Sequence, residues 1–288
     1  MAPFILYLYD GETMFEKPGI SVIIPTYNRA ELLLRAVDSV QKQTYDNWEL
    51  VIVDDGSKDE TKESIKKLND SRITYIKNEK NMGAAASRNR GVSAAKFDYI
   101  AFLDSDDVWR ENKLEKQMAY MNKFPYFGMI YCPFLNHYLD GHELVVPNHQ
   151  TGEREGWIQS TLLINNVIGT PTMLIKKDVF KENGGFDISL RALEDWDFAL
   201  RVSWNTQIGF LPEILVDAYQ TSGSISYDGG GYYEARCKII ALNLDYLQEI
   251  GMFDMLVMDL FKDAEQRGIL EPVRNILMIS IEKYHSKL

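Results

Sequence analysis

Two stretches decide the fold: Ile-Ser-Val-Ile-Ile-Pro-Thr-Tyr-Asn at residues 20–28 and Trp-Glu-Leu-Val-Ile-Val-Asp-Asp-Gly-Ser at residues 48–57. Each begins as an apolar run and ends abruptly in polar residues. A strand buried on both faces reads this way, because neither face meets water. Between them, residues 29–43 place Leu32, Leu33, Ala36, Val37 and Val40 at helical spacing. The unit then recurs. Residues 59–68 predict a helix with Thr61, Ile65 and Leu68 on one face, and residues 73–76 a strand. The alanine-rich residues 83–95 predict a helix, and residues 99–103 a strand that runs into Asp104-Ser105-Asp106-Asp107.

Strand and helix alternate four times, which implies a parallel, Rossmann-like sheet with helices on both faces. Crossovers in such sheets are right-handed, so the strand C-termini share one edge, and ligands bind along it. Thr26-Tyr27-Asn28, Asp54-Asp55 and the Asp104–Asp107 run are therefore expected to meet in space.

The pattern changes after a helix over 112–124. Residues 127–138 are aromatic-rich and read as extended. Gly141 marks a hairpin turn to residues 143–146. A short helix is expected at 157–164, a strand at 172–175, a turn at Gly184-Gly185, a helix from Glu194-Asp195 to about Trp204, and strands at 208–211 and 214–219. Gly229-Gly230-Gly231 reads as a flexible hinge or loop. From Tyr232 onward the chain reads as two or three amphipathic helices.

Bulk properties narrow the function. The 288 residues are 45% hydrophobic and 25% charged, ordinary globular values. A net charge of −11 argues against non-specific nucleic-acid binding and disfavours docking to an anionic membrane, although a local patch can still act. Cys132 and Cys237 match no zinc spacing and read as buried free thiols in a reducing compartment. The histidines His137, His142, His149 and His285 have no metal spacing either. No apolar run reaches the roughly 18 residues that span a bilayer, and the apolar residues 3–9 lack the basic start of a signal peptide. The expected location is cytoplasmic, with a peripheral contact at the inner face of the membrane compatible with it.

The polar clusters suggest chemistry, each beside a plainer alternative. Asp104 and Asp106 can reach a hard divalent ion whose shell is completed by substrate phosphates, or they can belong to a solvated turn before a helix. Asp54 and Asp55 can bind a base or ribose, as acids at strand ends do, or serve as turn and cap residues. In a receiver domain, clustered aspartates would bind Mg²⁺ and one would be phosphorylated, but that reading leaves most of the chain unexplained. Arg88 and Arg90 can pair with phosphate or sit on an ordinary charged helix. Glu194-Asp195 can hold a general base or simply favour a helix N-terminus.

Taken together, the motifs resemble those of family 2 glycosyltransferases, the large GT-A group. Residues 21–28 resemble that family's opening strand, and residues 48–57 its second strand and uracil-binding loop. Asn81-Met82-Gly83 with Ser87-Arg88-Asn89 is similar to its Asn-x-Gly-x-x-x-Ala-Arg-Asn signature, with Ser87 where alanine is usual. Asp104-Ser105-Asp106 is similar to its Asp-x-Asp metal motif. Gly184-Gly185-Phe186-Asp187 followed by Glu194-Asp195-Trp196-Asp197 resembles its catalytic segment. Ser224 and Ser226 stand where some members carry a polar loop near the donor.

The resemblance implies a GT-A fold. Residues 1–19 would form an N-terminal extension, 20–110 a nucleotide-sugar half, 111–225 an acceptor half with the catalytic base, and 226–288 a C-terminal helical segment. Pro25, Thr26, Tyr27, Asp54, Asp55, Arg88 and Asp104 would hold the nucleotide, most often UDP. Asp104 and Asp106 would bind Mn²⁺ or Mg²⁺, with Asp106 the direct ligand. Asp195, with Glu194 as second choice, would be the general base of an inverting transfer to a saccharide or lipid-linked acceptor in cell-surface polysaccharide synthesis. The C-terminal helices would shape the acceptor site, a homodimer contact or a membrane-facing surface. A nucleotide-sugar pyrophosphorylase or a nicotinamide dehydrogenase would need a glycine-rich loop after the first strand, where Pro25-Thr26-Tyr27-Asn28 stands instead. A non-catalytic binding relative is the remaining rival.

Overall fold

The computed structural model describes residues 17–147, 153–221 and 229–285. Residues 3–9, His149, Ser224 and Ser226, which carried expectations above, lie outside these.

The alternating half forms as its periodicity demands: β1 (Ile20–Thr26), α1 (Ala30–Gln41), β2 (Trp48–Asp54), α2 (Thr61–Lys66), β3 (Ile73–Lys77), α3 (Ala84–Ala94) and β4 (Tyr99–Phe102). Strands β3, β2, β1 and β4 lie side by side and parallel. Alternate residues along each strand serve opposite cores. Val22 and Ile24 of β1 join Leu33, Val37 and Val40 of α1 on one face, while Ile23 joins Ala85 and Val92 of α3 on the other.

Because α1 and α3 cover opposite faces, the strand order reverses between β1 and β4, and the crevice beyond their C-termini is a topological switch point. The β1–β4 ladder runs only from Ile20↔Tyr99 to Ile23↔Phe102, ending before Pro25, which has no N–H to give. The β1–β2 ladder continues to Thr26↔Asp54.

Helix α3 lies close on this sheet through Gly91, where a Cβ would come within 2.4 Å of Ile23 Cγ2. Gly91→Ala is expected to lower stability by about 1–3 kcal/mol through overpacking, despite alanine's better helix propensity. A thermal melt checks this: an unchanged or higher Tm would mean that the contact yields freely.

The second half extends the sheet. It comprises β5 (Val108–Trp109), α4 (Lys113–Lys123), β6 (Phe127–Tyr131), β7 (Phe134–His137), β8 (Glu143–Val146), α5 (Gln159–Ile164), β9 (Leu174–Lys176), α6 (Lys177–Glu182), α7 (Glu194–Ser203), β10 (Gln207–Phe210) and β11 (Val216–Tyr219). The large sheet has the order β10-β6-β9-β4-β1-β2-β3, with β9 antiparallel to both β4 and β6. A smaller sheet has the order β5-β11-β7-β8.

The extended run expected at 127–138 is therefore two strands in two sheets, broken at Cys132-Pro133, where proline cannot continue a ladder. Helix α6 was not legible in the sequence pattern. Among the described residues the last segment holds four helices, not two or three: α8 (Gly229–Leu242), α9 (Leu244–Glu249), α10 (Phe253–Gln266) and α11 (Leu270–His285). The Gly229-Gly230-Gly231 stretch is the first turn of α8 rather than a hinge. At Gly231 a Cβ would lie 3.0 Å from Arg191 Cβ, so glycine lets this turn approach the segment that leads into α7. Among the described residues, no helix is long and apolar enough to cross a membrane.

Candidate active site

Four loops meet at the C-terminal edge of the sheet. The first follows β1. Pro25 and Thr26 end the strand in buried positions, and Tyr27, 42% exposed, stands open beside them. Asn28 takes a positive φ of 51° and ties this loop to the next, its N–H donating to Ser57 Oγ at 2.9 Å while its Oδ1 accepts from the Lys58 N–H at 2.8 Å.

The second loop carries Asp54 and Asp55, and both are turned inward. Asp54 accepts from the Ser57 N–H at 2.7 Å and from the Tyr75 hydroxyl, and its side chain is fully buried. Asp55 accepts from Asn78 Nδ2 at 2.7 Å and from the N–H groups of Met82 and Gly83 at 2.9 and 2.8 Å. These carboxylates fix the loops after β2 and β3, and Asp55 anchors the N-terminus of α3.

Helix α3 then presents Arg88, whose side chain is 5% exposed. Its guanidinium donates to Asp104 Oδ1 at 2.5 Å and to Glu194 Oε1 at 2.7 Å. These two partners hold it more firmly charged than a free arginine. Arg88 thus joins the end of β4 to the start of α7, two points 90 residues apart in sequence (194 − 104). Its Nε, like Thr26 Oγ1, is buried without a hydrogen-bond partner. Such orphaned atoms are rare in folded proteins, and the Nε1 of Trp48, at the opposite end of β2, is another. Arg90 turns away, donating to the Lys77 carbonyl at 3.0 Å.

Next to α3, the Asn89 amide grips the backbone of Phe186, donating to its carbonyl at 2.8 Å and accepting from its N–H at 2.9 Å. Phe186 packs edge-on against Phe102 of β4. Arg201 of α7 donates to the Gly185 carbonyl at 2.8 Å and to Asp197 Oδ2 at 2.7 Å, fixing the same turn from the other side. The segment before α7 is therefore held by polar clamps from both sides, by aromatic contacts of Phe186 with Phe102, Phe180 and Phe198, and by the Asp187–Lys238 ion pair.

Helix α7 opens from Leu193, a left-handed residue at φ 58°. For a bulky side chain this conformation is strained, and strain of this kind clusters at functional sites. It delivers Glu194 and Asp195 to the crevice. Asp195 accepts from Asn166 Nδ2 at 3.1 Å and from the Trp196 N–H at 2.7 Å. Burial, then the charge of Glu194, pushes its carboxyl up to about 7, although Arg88 pulls the other way.

Beyond β4, Asp106 pairs with Arg29 and accepts from Thr221 Oγ1 at 3.1 Å. Its carboxyl is raised by burial and then by the charge of Asp104. Asp107 accepts from the Tyr219 N–H at 3.0 Å, and burial with its acidic neighbours raises it well above the ordinary range. Sequence reasoning missed Arg29, Asn166 and Thr221, and placed Asp107 at this edge without a role. Arg29 could have been found, since it follows the β1 loop directly. The contacts of Asn166 and Thr221 with Asp195 and Asp106 have no local signal.

Asp104, Asp106, Asp107, Glu194 and Asp195 bring five carboxyl groups together, opposed by the guanidinium groups of Arg29 and Arg88. This excess of negative charge, held on hard oxygen donors, fits a divalent cation of the Mg²⁺ or Mn²⁺ type. Among the described residues no cluster of three or more His, Cys, Asp or Glu forms an all-protein metal cage. Such ions are commonly held by one or two carboxylates together with substrate phosphates. Two cavities, of about 450 Å³ by Trp204 and Tyr246 and about 410 Å³ by Gly184–Ile188, are not lined by Asp104, Asp106 or Asp195.

A mixed sheet of this order, with acids and arginines converging beyond β1 and β4, is the architecture of the GT-A glycosyltransferases. The Staphylococcus aureus TarS 1–349 structure in complex with UDP-GlcNAc superposes with a TM-score of 0.68 and 18% identity, covering 93% of this chain and 90% of that one. The Glycosyl transferase family 2 model matches residues 21–183, more than half of the sequence, and the chain belongs to that family.

An uncharacterized glycosyltransferase of Haemophilus influenzae is 35% identical over 187 residues, covering 64% of this chain and 61% of that protein. The chain thus spans less than two thirds of that relative. The Escherichia coli protein WfgD, a UDP-Glc:alpha-D-GlcNAc-diphosphoundecaprenol beta-1,3-glucosyltransferase, is 46% identical over 104 residues, 36% of this chain and 41% of that protein.

Proposed function

We propose that the protein transfers a sugar with inversion from a nucleotide-sugar, a UDP-sugar, to a saccharide or lipid-linked acceptor in cell-surface polysaccharide synthesis. The observation that carries this reading is the Arg88 bridge, which brings the acids after β4 and the acids opening α7 into one crevice. The family membership and the activity of the relative WfgD support the donor and acceptor classes.

In this reading the nucleoside lies against Pro25, Thr26 and Tyr27, on loops kept in shape by Asp54 and Asp55. Asp104 and Asp106 hold Mn²⁺ or Mg²⁺, which when bound neutralises charge on the diphosphate leaving group. Asp195 takes the proton of the acceptor hydroxyl as its oxygen attacks the anomeric carbon and the bond from that carbon to the diphosphate oxygen breaks. Asn166 orients the Asp195 carboxylate. Arg88 keeps Asp104 and Glu194 in place and limits the charge that Glu194 imposes on Asp195.

Calorimetric titration of UDP with Mn²⁺ and again with EDTA tests the reading. Binding that requires the metal is expected, and Asp106→Ala should lose the metal-dependent part of the affinity. Equal affinity of wild type and Asp106→Ala in Mn²⁺ would remove the metal from these residues. Absence of UDP binding under both conditions would reject the donor assignment.

A further inference from the structure

The two arginines in the crevice are held differently. Arg88 is 5% exposed and locked between two acids on different elements. Arg29 forms an ion pair with one acid among the described residues, Asp106, its charge also reaching Asp107, and its side chain is 26% exposed. It stands just before α1, on the loop that follows β1, whereas Asp106 follows β4. Their ion pair therefore bridges the switch-point crevice, where sheets of this kind bind ligands. Asp106 also has a donor in Thr221 Oγ1 at 3.1 Å, so its carboxylate stays positioned when the guanidinium leaves.

We infer that Arg29 is an exchangeable counter-ion: it neutralises Asp106 while no metal is present, and gives up that carboxylate to the divalent ion only when a donor diphosphate is there to receive the guanidinium. The inference rests on the proposed metal role of Asp104 and Asp106. Its physical basis is that two cations cannot occupy one carboxylate face without repulsion. A displaced guanidinium must find another anion or return to water, and a nucleotide diphosphate offers paired oxygens that the planar arginine fork can grip bidentately. Metal and nucleotide would then bind cooperatively, and the metal alone would bind weakly. Arg29 acts here as a positioning residue that enforces joint loading.

The test measures free Mn²⁺ by electron paramagnetic resonance during titration of wild type, Arg29→Gln and Arg29→Lys, each with and without UDP. For wild type, UDP should tighten Mn²⁺ binding by a coupling factor on the order of 10 or more. Arg29→Gln should bind Mn²⁺ alone roughly tenfold tighter than wild type, with the UDP coupling reduced to match. Arg29→Lys, which keeps the charge but not the fork, should fall between. With EDTA, the UDP affinity of Arg29→Gln should equal that of wild type. If UDP promotes Mn²⁺ binding equally in wild type and Arg29→Gln, the exchange is wrong while the metal reading stands. Weaker Mn²⁺ binding by both variants would make Arg29 a support of the site and also overturn the exchange. If no protein takes up Mn²⁺ with UDP, the metal reading fails and the inference fails with it.

Discussion

Asp195→Asn leaves UDP binding unchanged and lowers turnover by about 10²–10⁴-fold, the usual contribution of a positioned general base. Asparagine keeps the shape of the side chain and can still meet Asn166 and the Trp196 N–H, so the effect isolates proton transfer. Two pH measurements sharpen the expectation. A base must be ionised to act, and the Asp195 carboxyl is raised to about 7. In wild type kcat/KM should therefore fall about tenfold per pH unit below pH 7.

The stability consequence has the opposite sense. A carboxyl whose folded value lies above its unfolded value of about 3.9 binds its proton more tightly in the folded state. The stability it lends is full below about pH 3.9 and is lost as pH rises through about 7. Asp195→Asn, neutral throughout, should melt close to wild type near pH 4 and above it at pH 8. Surviving activity would place the base elsewhere. Matching melts at pH 8 would mean that Asp195 ionises there at no cost.

Arg88→Met is expected to be the most damaging single change to the fold's edge. It removes the guanidinium shared by Asp104 and Glu194 while leaving both acids partly buried. Breaking a buried ionic network by removing one partner costs about 3–5 kcal/mol. For a chain of this size that is a fall in Tm of roughly 10 °C. Nucleotide binding should weaken as well, since Glu194 and Asp104 would repel each other across the crevice. Arg88→Lys should recover charge but not both contacts, because an ammonium lacks the fork that reaches two carboxylates at once. A Tm within about 2 °C of wild type for Arg88→Met would show that the bridge adds little beyond what surface ion pairs give.

Much of this molecule was legible in the sequence, and the reason is periodicity. Short, continuous apolar runs at β1, β2 and β4, each ending in turn residues, read as strands covered on both faces. Four strand–helix units then place Thr26, Asp54 and Asp104 on one edge without any tertiary information. The convergence of the strand-end acids is thus a consequence of chain geometry. Segments whose pattern is not periodic were not legible. The split of residues 127–138 between two sheets depends on which partners Phe127–Tyr131 and Phe134–His137 find, and strand pairing is a long-range choice. The glycine triplet at 229–231 reads as a hinge by composition, yet it is helical, and Gly231 leaves room for the close approach to Arg191.

The division is similar within the site. The sequence by itself supplied the acids, the arginine of α3 and the edge they share. Only the tertiary structure decided their states. Asp54 and Asp55 turn inward to hold loops, Arg88 bridges Asp104 to Glu194, and Asp106 is occupied by Arg29. Asp195 lies where burial and Glu194 together raise its carboxyl into the neutral range. Residue type and spacing fix what a side chain can do. Its charge state and its partner are set by the solvent and counter-ions around it, and those come from parts of the chain up to 115 residues away, as with Thr221 on Asp106.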